Sequence, residues 1–370
     1  MGGSSPVKQV LLTRQKETEK KNMKRRSFGK LTAMGLGAGL ISCAPQSIIY
    51  RKTPHKNQTV KPEKLKEGDI IGLIAPASPF LEEQFKRATD QILSLKFRVK
   101  YGKNLNEKYG YLAGSDQQRV DDIHAMFADP DVKAIWCIRG GYGTTRLLHL
   151  IDFDLISRHP KLLIGYSDVT ALLQAIFIKT GMVGVHGPVA ASEFTDYTQE
   201  HFLDLVTKVQ DKSVIRRFDN DEEAESGNKP QIIRSGKMVG ELAGGNLSLL
   251  AALAGTEFQL NAKGKLVFIE DVGEKPYRID RMLTQLLHTA KLDQAAGIIL
   301  GVFEDCEAGE NNRSLSLIET FKDRLGNLGI PVYYGFSFGH IENMCSIPIG
   351  IKASFDPDKN ELTLLESAVV

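Results

Sequence analysis

Leu162-Leu163-Ile164-Gly165-Tyr166-Ser167-Asp168-Val169-Thr170-Ala171-Leu172-Leu173 is the stretch on which the fold turns. Three apolar residues read as the end of a buried parallel strand, Gly165 to Ser167 turn the chain, and a helical pattern begins at Val169. A serine at a sharp strand-to-helix turn exposes its Oγ above the sheet, facing the free N–H groups of the helix N-terminus. That is where a nucleophile belongs. The same letters also suit an N-cap by Ser167 or Asp168, and both readings stand at this point.

Working outward, apolar strands alternate with amphipathic helices on both sides of this stretch. Upstream, Asp69–Ala75 reads as a strand, Leu81–Leu95 as a helix, and Phe97–Val99 as a short strand. A helix capped by Ser115-Asp116 follows, with Val120, Ile123, Met126 and Phe127 on one face, then strand Val132–Ile138. The loop Arg139-Gly140-Gly141-Tyr142-Gly143 leads to a helix through Leu147, Leu148 and Leu150. Downstream come helix Val169–Thr180 and strand Val183–Val185. This alternation predicts an α/β fold whose N-terminal domain is a parallel sheet covered on both faces. Residues 192–235 break the rhythm with Asp, Glu, Lys, Asn and Gln, and read as a linker. Beyond it Gly244-Gly245-Asn246 precedes helix Leu247–Leu253, strand Lys265–Ile269 ends in Glu270-Asp271, and a helix spans Pro276–Thr289. Strand Gly297–Gly301, a helix over Leu315–Leu325 and strands Val332–Tyr334, Ile351–Phe355 and Leu362–Leu365 complete a second α/β-like unit. The expected domains are therefore 65–191, carrying the serine, and 236–370, in two lobes.

The chain has 370 residues and a net charge of +2, but residues 1–42 hold nine Lys/Arg against two Glu, leaving −5 on the remainder. A mildly acidic body without a basic stripe argues against nucleic acid as partner. The N-terminus reads as an address. After a polar extension, Met23 opens Lys24-Arg25-Arg26-Ser27-Phe28-Gly29-Lys30, a twin-arginine export pattern, and Leu31–Ile41 is modestly apolar. The run ends in Leu40-Ile41-Ser42-Cys43, which resembles a lipoprotein signal-peptidase site with Cys43 as the lipidated residue. It is far short of the roughly 20 residues that span a bilayer, so the expected membrane contact is a lipid anchor on an exported, periplasmic protein, the alternative being a cytoplasmic one. Residues 1–43 are then the signal region with its extension, and 44–64 a tether. Cys137, Cys306 and Cys345 remain. No disulfide framework, zinc spacing or cofactor motif is present, so neither a metal nor a cofactor is expected.

In parallel α/β sheets, ligands bind beyond the carboxyl ends of strands, where Ser167, Glu270 and Gly140-Gly141 all fall. A serine nucleophile needs a base, and the base needs an orienting acceptor. Of the eight histidines, His55 lies in the tether, and His124, His149, His159, His201 and His288 lie in or beside helical patterns. His186 and His340 remain, both after strands, and position alone does not separate them. Glu270 and Asp271 end one strand and alternation points them in different directions.

Four ordered blocks carry a resemblance. They are Gly165–Leu172; Arg139–Gly143; Phe268-Ile269-Glu270-Asp271-Val272-Gly273-Glu274-Lys275-Pro276-Tyr277-Arg278-Ile279-Asp280-Arg281-Met282-Leu283; and Gly339-His340 followed by Ile347–Gly350. From about Lys61 to the C-terminus the chain resembles the serine LD-carboxypeptidases, which include muramoyltetrapeptide carboxypeptidases and microcin C self-immunity peptidases. The resemblance implies Ser167, Glu270 and His340 as a catalytic triad, and the backbone N–H groups of Asp168 and Gly141 (or Gly140) as an oxyanion hole. It implies a murein peptide as substrate, with Arg139, Arg146 and Arg278 as candidates for its terminal carboxylate, and a homodimer, since members commonly pair. Two departures stand out: Lys275, where a proline or small residue is expected, and the export leader. Alternatives are a peptide or aminoacyl-nucleotide amidase using the same triad, and a lipid-anchored solute-binding protein.

Overall fold

The computed structural model describes residues 59–219, 229–309 and 313–370. The export pattern, Cys43 and most of the expected tether lie outside the described residues. In chain order the elements are β1 (Ile70–Ile74), α1 (Glu82–Ser94), β2 (Arg98–Tyr101), α2 (Asp116–Ala128), β3 (Val132–Cys137), α3 (Phe153–Arg158), β4 (Leu162–Gly165), α4 (Thr170–Thr180) and β5 (Val185–His186). Then come α5 (Asp196–Thr207), β6 (Ser213–Arg216), β7 (Gln231–Arg234), β8 (Met238–Asn246), α6 (Leu247–Ala252), β9 (Lys265–Val272), α7 (Pro276–Thr289), β10 (Gly297–Glu304) and α8 (Leu317–Leu325). The chain closes with β11 (Val332–Tyr334), β12 (Ile347–Pro348), β13 (Lys352–Asp356) and β14 (Glu361–Leu364).

The first sheet runs β12-β5-β4-β3-β1-β2, with β2, β1, β3, β4 and β5 parallel and β12 antiparallel on its edge. Apart from the polar, largely exposed edge strand β2, its strands are apolar almost without interruption because helices cover both faces. The order reverses between β1 and β3, and the loops after these strands face one another there, opening the crevice in which such sheets bind ligands. The second sheet runs β6-β14-β13-β8-β9-β10-β11-β7, with β8 to β11 parallel and antiparallel strands on both flanks.

Helix α4 joins the halves. It is apolar on nearly every side, and Thr170 to Ile176 are buried throughout, as expected of a helix enclosed by protein all round. Its first residue meets the end of β8, where the Asn246 N–H donates to Thr170 Oγ1 at 3.1 Å. The apolar residues of the first sheet continue into Leu242, Leu266, Phe268, Phe336 and Phe338 as one core, while α6, α7 and α8 cover the other face of the second sheet.

Three expectations change. Residues 192–235 are not a solvated linker: α5 buries Phe202, Leu205 and Val206, and β6 and β7 form the two edges of the second sheet. The end of the expected tether is docked, with the Val60 N–H donating to Gly181 O at 2.8 Å and Lys61 paired with Glu366 at 2.7 Å. The helix expected through Leu147–Leu150 is a single 3-10 turn, Thr144–Arg146. The chain restarts as α3 only where the Asp152 side chain caps it by accepting from the Leu155 N–H at 2.9 Å. Strand β8 takes in the glycines that precede α6. Its glycines are required by proximity, since a Cβ on Gly244 would overlap the Phe268 carbonyl of neighbouring β9.

Candidate active site

Strand β4 ends at Gly165, and the chain passes through Tyr166 into a 3-10 turn, Ser167–Val169, that feeds α4. Ser167 has φ +60°, a conformation rarely adopted by residues with a side chain. Such strain persists only where the surroundings enforce it, and it concentrates at functional turns. Here the enforcing contacts come from Asp168 and the loop after β3. The buried Asp168 carboxylate accepts the Thr144 N–H at 2.8 Å, and its carbonyl accepts the Thr144 hydroxyl. Burial raises the Asp168 pKa against these hydrogen bonds. Asp168 therefore fastens the glycine loop to the serine turn through its side chain.

That loop lies directly on Ser167. A Cβ placed on Gly140 would stand 3.0 Å from Ser167 Cβ, 3.2 Å from its Oγ and 3.5 Å from the Asp168 nitrogen. Ser78, in the loop after β1, accepts the Tyr142 N–H at 3.1 Å. Arg119 reaches in from α2, fully buried, donating to Pro76 O at 2.6 Å and Gly143 O at 3.1 Å while paired with Asp116. Desolvation lowers the Arg119 pKa, partly offset by Asp116. Its position within a helical pattern gives no sign of this role. Only its place opposite two loops at the sheet's switch point does.

Glu270 is fully buried near the end of β9, and its Oε2 lies 2.8 Å from His340 Nδ1. The imidazole packs against Tyr166, the residue before Ser167, with ring centroids 4.7 Å apart and the planes tilted by 54°. Burial pushes the Tyr166 phenol up to about 12, with Glu270 adding to the shift and a hydrogen bond to Ser192 opposing it. Asp271 points the other way, accepting from Asn246 and from the Ser248 N–H and hydroxyl at 2.8–3.0 Å. Desolvation is the main cause of its pKa rising to about 6. Of the two histidines left open by sequence, His340 is thus the one hydrogen-bonded to a carboxylate. His186 Nε2 is 4.0 Å from the other oxygen of Glu270.

The arginines separate. Arg139 is half-buried and braces the site's own backbone, donating to Gly140 O at 3.3 Å and Pro79 O at 3.2 Å. Arg146 forms a two-pronged pair with Asp116 at 2.8–2.9 Å. Arg278 is exposed at the start of α7 against Glu274 and Tyr277. Lys275 is the N-cap of α7.

A serine on a strained turn at a strand end, beside a buried glutamate and the half-buried histidine bonded to it from the other half of the chain, is an arrangement suited to acyl transfer. Comparison with known proteins gives the family. Residues 71–187 match the LD-carboxypeptidase N-terminal domain, and residues 239–355 the LD-carboxypeptidase C-terminal domain. A probable murein peptide carboxypeptidase of Bacillus subtilis is 42% identical over 296 residues, covering 80% of this chain and 91% of that protein. The chain belongs to the LD-carboxypeptidase family. Another relative of this LD-carboxypeptidase, the murein tetrapeptide carboxypeptidase of Pseudomonas aeruginosa, is 33% identical over 78% of the chain and 94% of its own length. Among solved structures, an MccF-like protein from Bacillus anthracis superposes with a TM-score of 0.72 at 30% identity, covering 82% of this chain and 99% of that one. Family membership makes the protein an enzyme and sets aside the solute-binding reading.

Proposed function

We propose that this LD-carboxypeptidase removes the terminal D-alanine from murein tetrapeptides through an acyl-enzyme on Ser167. The observation that carries the reading is the 2.8 Å bond between His340 Nδ1 and the buried Glu270, next to the serine turn. With Nδ1–H donated to Glu270, Nε2 holds the free lone pair and is the atom that takes the Ser167 proton as Oγ attacks the carbonyl. Glu270 fixes that tautomer and stabilises the imidazolium. The oxyanion is received by the N–H groups of Asp168 and of Gly141 or Gly140. His340 then protonates the departing amine of D-alanine, and water admitted to the same base releases the shortened peptide. Arg139 is the better placed of the candidate arginines for the substrate's carboxylate.

The names of the relatives support a murein peptide as the substrate. The likeness to MccF structures, one of them in complex with aspartyl sulfamoyl adenosine, supports the second reading, hydrolysis of an aminoacyl nucleotide by the same residues. Purified protein given defined murein tetrapeptides should release free D-alanine, and Ser167→Ala should abolish release while leaving the melting temperature within a few degrees. Cleavage of an aminoacyl sulfamoyl nucleotide without any D-alanine release would transfer the conclusion to the second reading. The proposed location is the periplasmic face of a membrane, held by a lipid on Cys43. Labelling with a fatty-acid analogue that Cys43→Ser does not abolish would refute that anchor.

A further inference from the structure

His186 occupies the end of β5 and is fully buried. Its backbone lies opposite Gly165 of β4 on one side and Ile347 of β12 on the other. Tyr166, Phe268 and Phe338 enclose its ring at centroid distances of 6.1, 5.3 and 6.4 Å. Among the described residues, neither of its ring nitrogens has a hydrogen-bond partner, and neither has Glu270 Oε1. Nε2 and Oε1 face one another at 4.0 Å, while Oε2 of the same carboxylate holds His340. Glu270 therefore stands between two imidazoles, bonded to one and just out of reach of the other. Buried donors and acceptors are costly to leave unpaired. Closing the gap by about 1 Å would pair Nε2 with Oε1 in a single N–H···O bond of ordinary length.

We propose that His186 is a positioning residue for the active site: as a neutral imidazole it donates Nε2–H to Glu270 Oε1 and so holds the carboxylate with Oε2 towards His340. This rests on the reading of Glu270 and His340 as the working pair. The groups that face His186 suit a neutral ring. Glu270 comes from β9, His340 from the loop after β11, and Tyr166 from the turn after β4, with its phenol kept protonated by burial. Asp271, the next residue of β9, is turned away towards Asn246 and Ser248. Burial drives the His186 pKa down to about 4, against the attraction of Glu270 and together with repulsion from His340. A charged His186 would compete with His340 for one carboxylate, whereas a neutral one supports it.

Three variants test this. His186→Phe keeps the ring and loses the donor. His186→Asn keeps an amide too short to reach Oε1. His186→Gln carries an N–H near the place of Nε2. Loss of the donor is expected to lower kcat about 10- to 100-fold with little change in KM, and His186→Gln to recover most of it. A substrate-independent readout is the NMR resonance of the His340 Nδ1–H proton shared with Glu270. Without the donor the carboxylate is free to turn, so that resonance shifts or broadens in the Phe and Asn variants and stays near wild type in the Gln variant. An unchanged resonance in Phe or Asn, whichever folds, overturns the proposal and leaves His186 as packing, as does a Gln variant no better than Phe. Absence of Ser167-dependent turnover in the wild type would instead refute the peptidase reading, while the resonance would still decide the place of His186.

Discussion

Gly140→Ala is the sharpest perturbation the site offers, because it adds one methyl group against the serine. Gly140 does not use the left-handed backbone region, so alanine is tolerated by the chain itself. The cost is local: the new Cβ stands 3.0 Å from Ser167 Cβ, 3.2 Å from Oγ and 3.5 Å from the Asp168 nitrogen. Contacts of that length require Ser167 to move by a few tenths of an ångström, or the loop to withdraw its N–H groups from the oxyanion. Either outcome removes the equivalent of one oxyanion donor, about 2.7–4 kcal/mol of barrier, or about 100- to 1,000-fold in kcat. Overpacking of this kind costs about 1–3 kcal/mol in stability, a shift of roughly 1–5 °C in a chain of this size. The assay is D-alanine release under saturating tetrapeptide, paired with a thermal melt. A variant within about threefold of wild-type kcat would refute the placement of the loop over the serine. So would a loss of activity accompanied by global unfolding, since the strain would then not be confined to the site.

Two further outcomes are expected. Arg119→Met should destabilise the protein by about 3 kcal/mol or more, because Pro76 O, Gly143 O and Asp116 would lose a buried cation, and chemical denaturation measures it. The same variant should lose activity below its melting temperature, since the loops after β1 and β3 would no longer be tied. For pH, the folded-state pKa of His186 is about 4 against an ordinary 6.5, so between these values the unfolded chain binds the extra proton. The His186 contribution is thus complete above about pH 6.5 and is lost as pH falls towards 4, by up to about 3 kcal/mol. Denaturation midpoints of His186→Phe should fall less steeply over that interval than those of wild type, and parallel curves would contradict the assignment of a buried neutral ring.

Much of this architecture was legible because burial writes itself into sequence. Strands covered on both faces are apolar throughout, so β1, β3, β4, β10 and β11 stood out, and Pro276 with its helical period marked α7 to the residue. Ser167 and Glu270 were visible as polar residues where apolar strands end. Other elements answer to distant partners. Strand β8 is weak by its own glycines and exists because β9 passes too close for side chains. Edge strands β6 and β7 are short and largely solvent-facing, so their letters look like linker. Helix α5 did leave a signal, Thr195 as cap before Phe202, Leu205 and Val206, within an otherwise polar stretch. No local pattern distinguished His186 from His340, because the carboxylate that separates them lies 70 or more residues away in sequence.

Strand β12 has a consequence for how the enzyme comes into being. It pairs Ile347 and Pro348 with His186 and Val185, so the edge of the first sheet is finished only by residues that follow His340. Contacts this far apart in sequence form late and slowly, because the intervening chain must first be ordered. A nascent chain that has folded its first five parallel strands would present the serine turn without its base and with an open sheet edge beside it. Activity would then be acquired in one step, when the final segment docks. The two halves are likewise poor cassettes for exchange between relatives: a recombination point placed in the boundary between them would separate the first sheet from its own sixth strand.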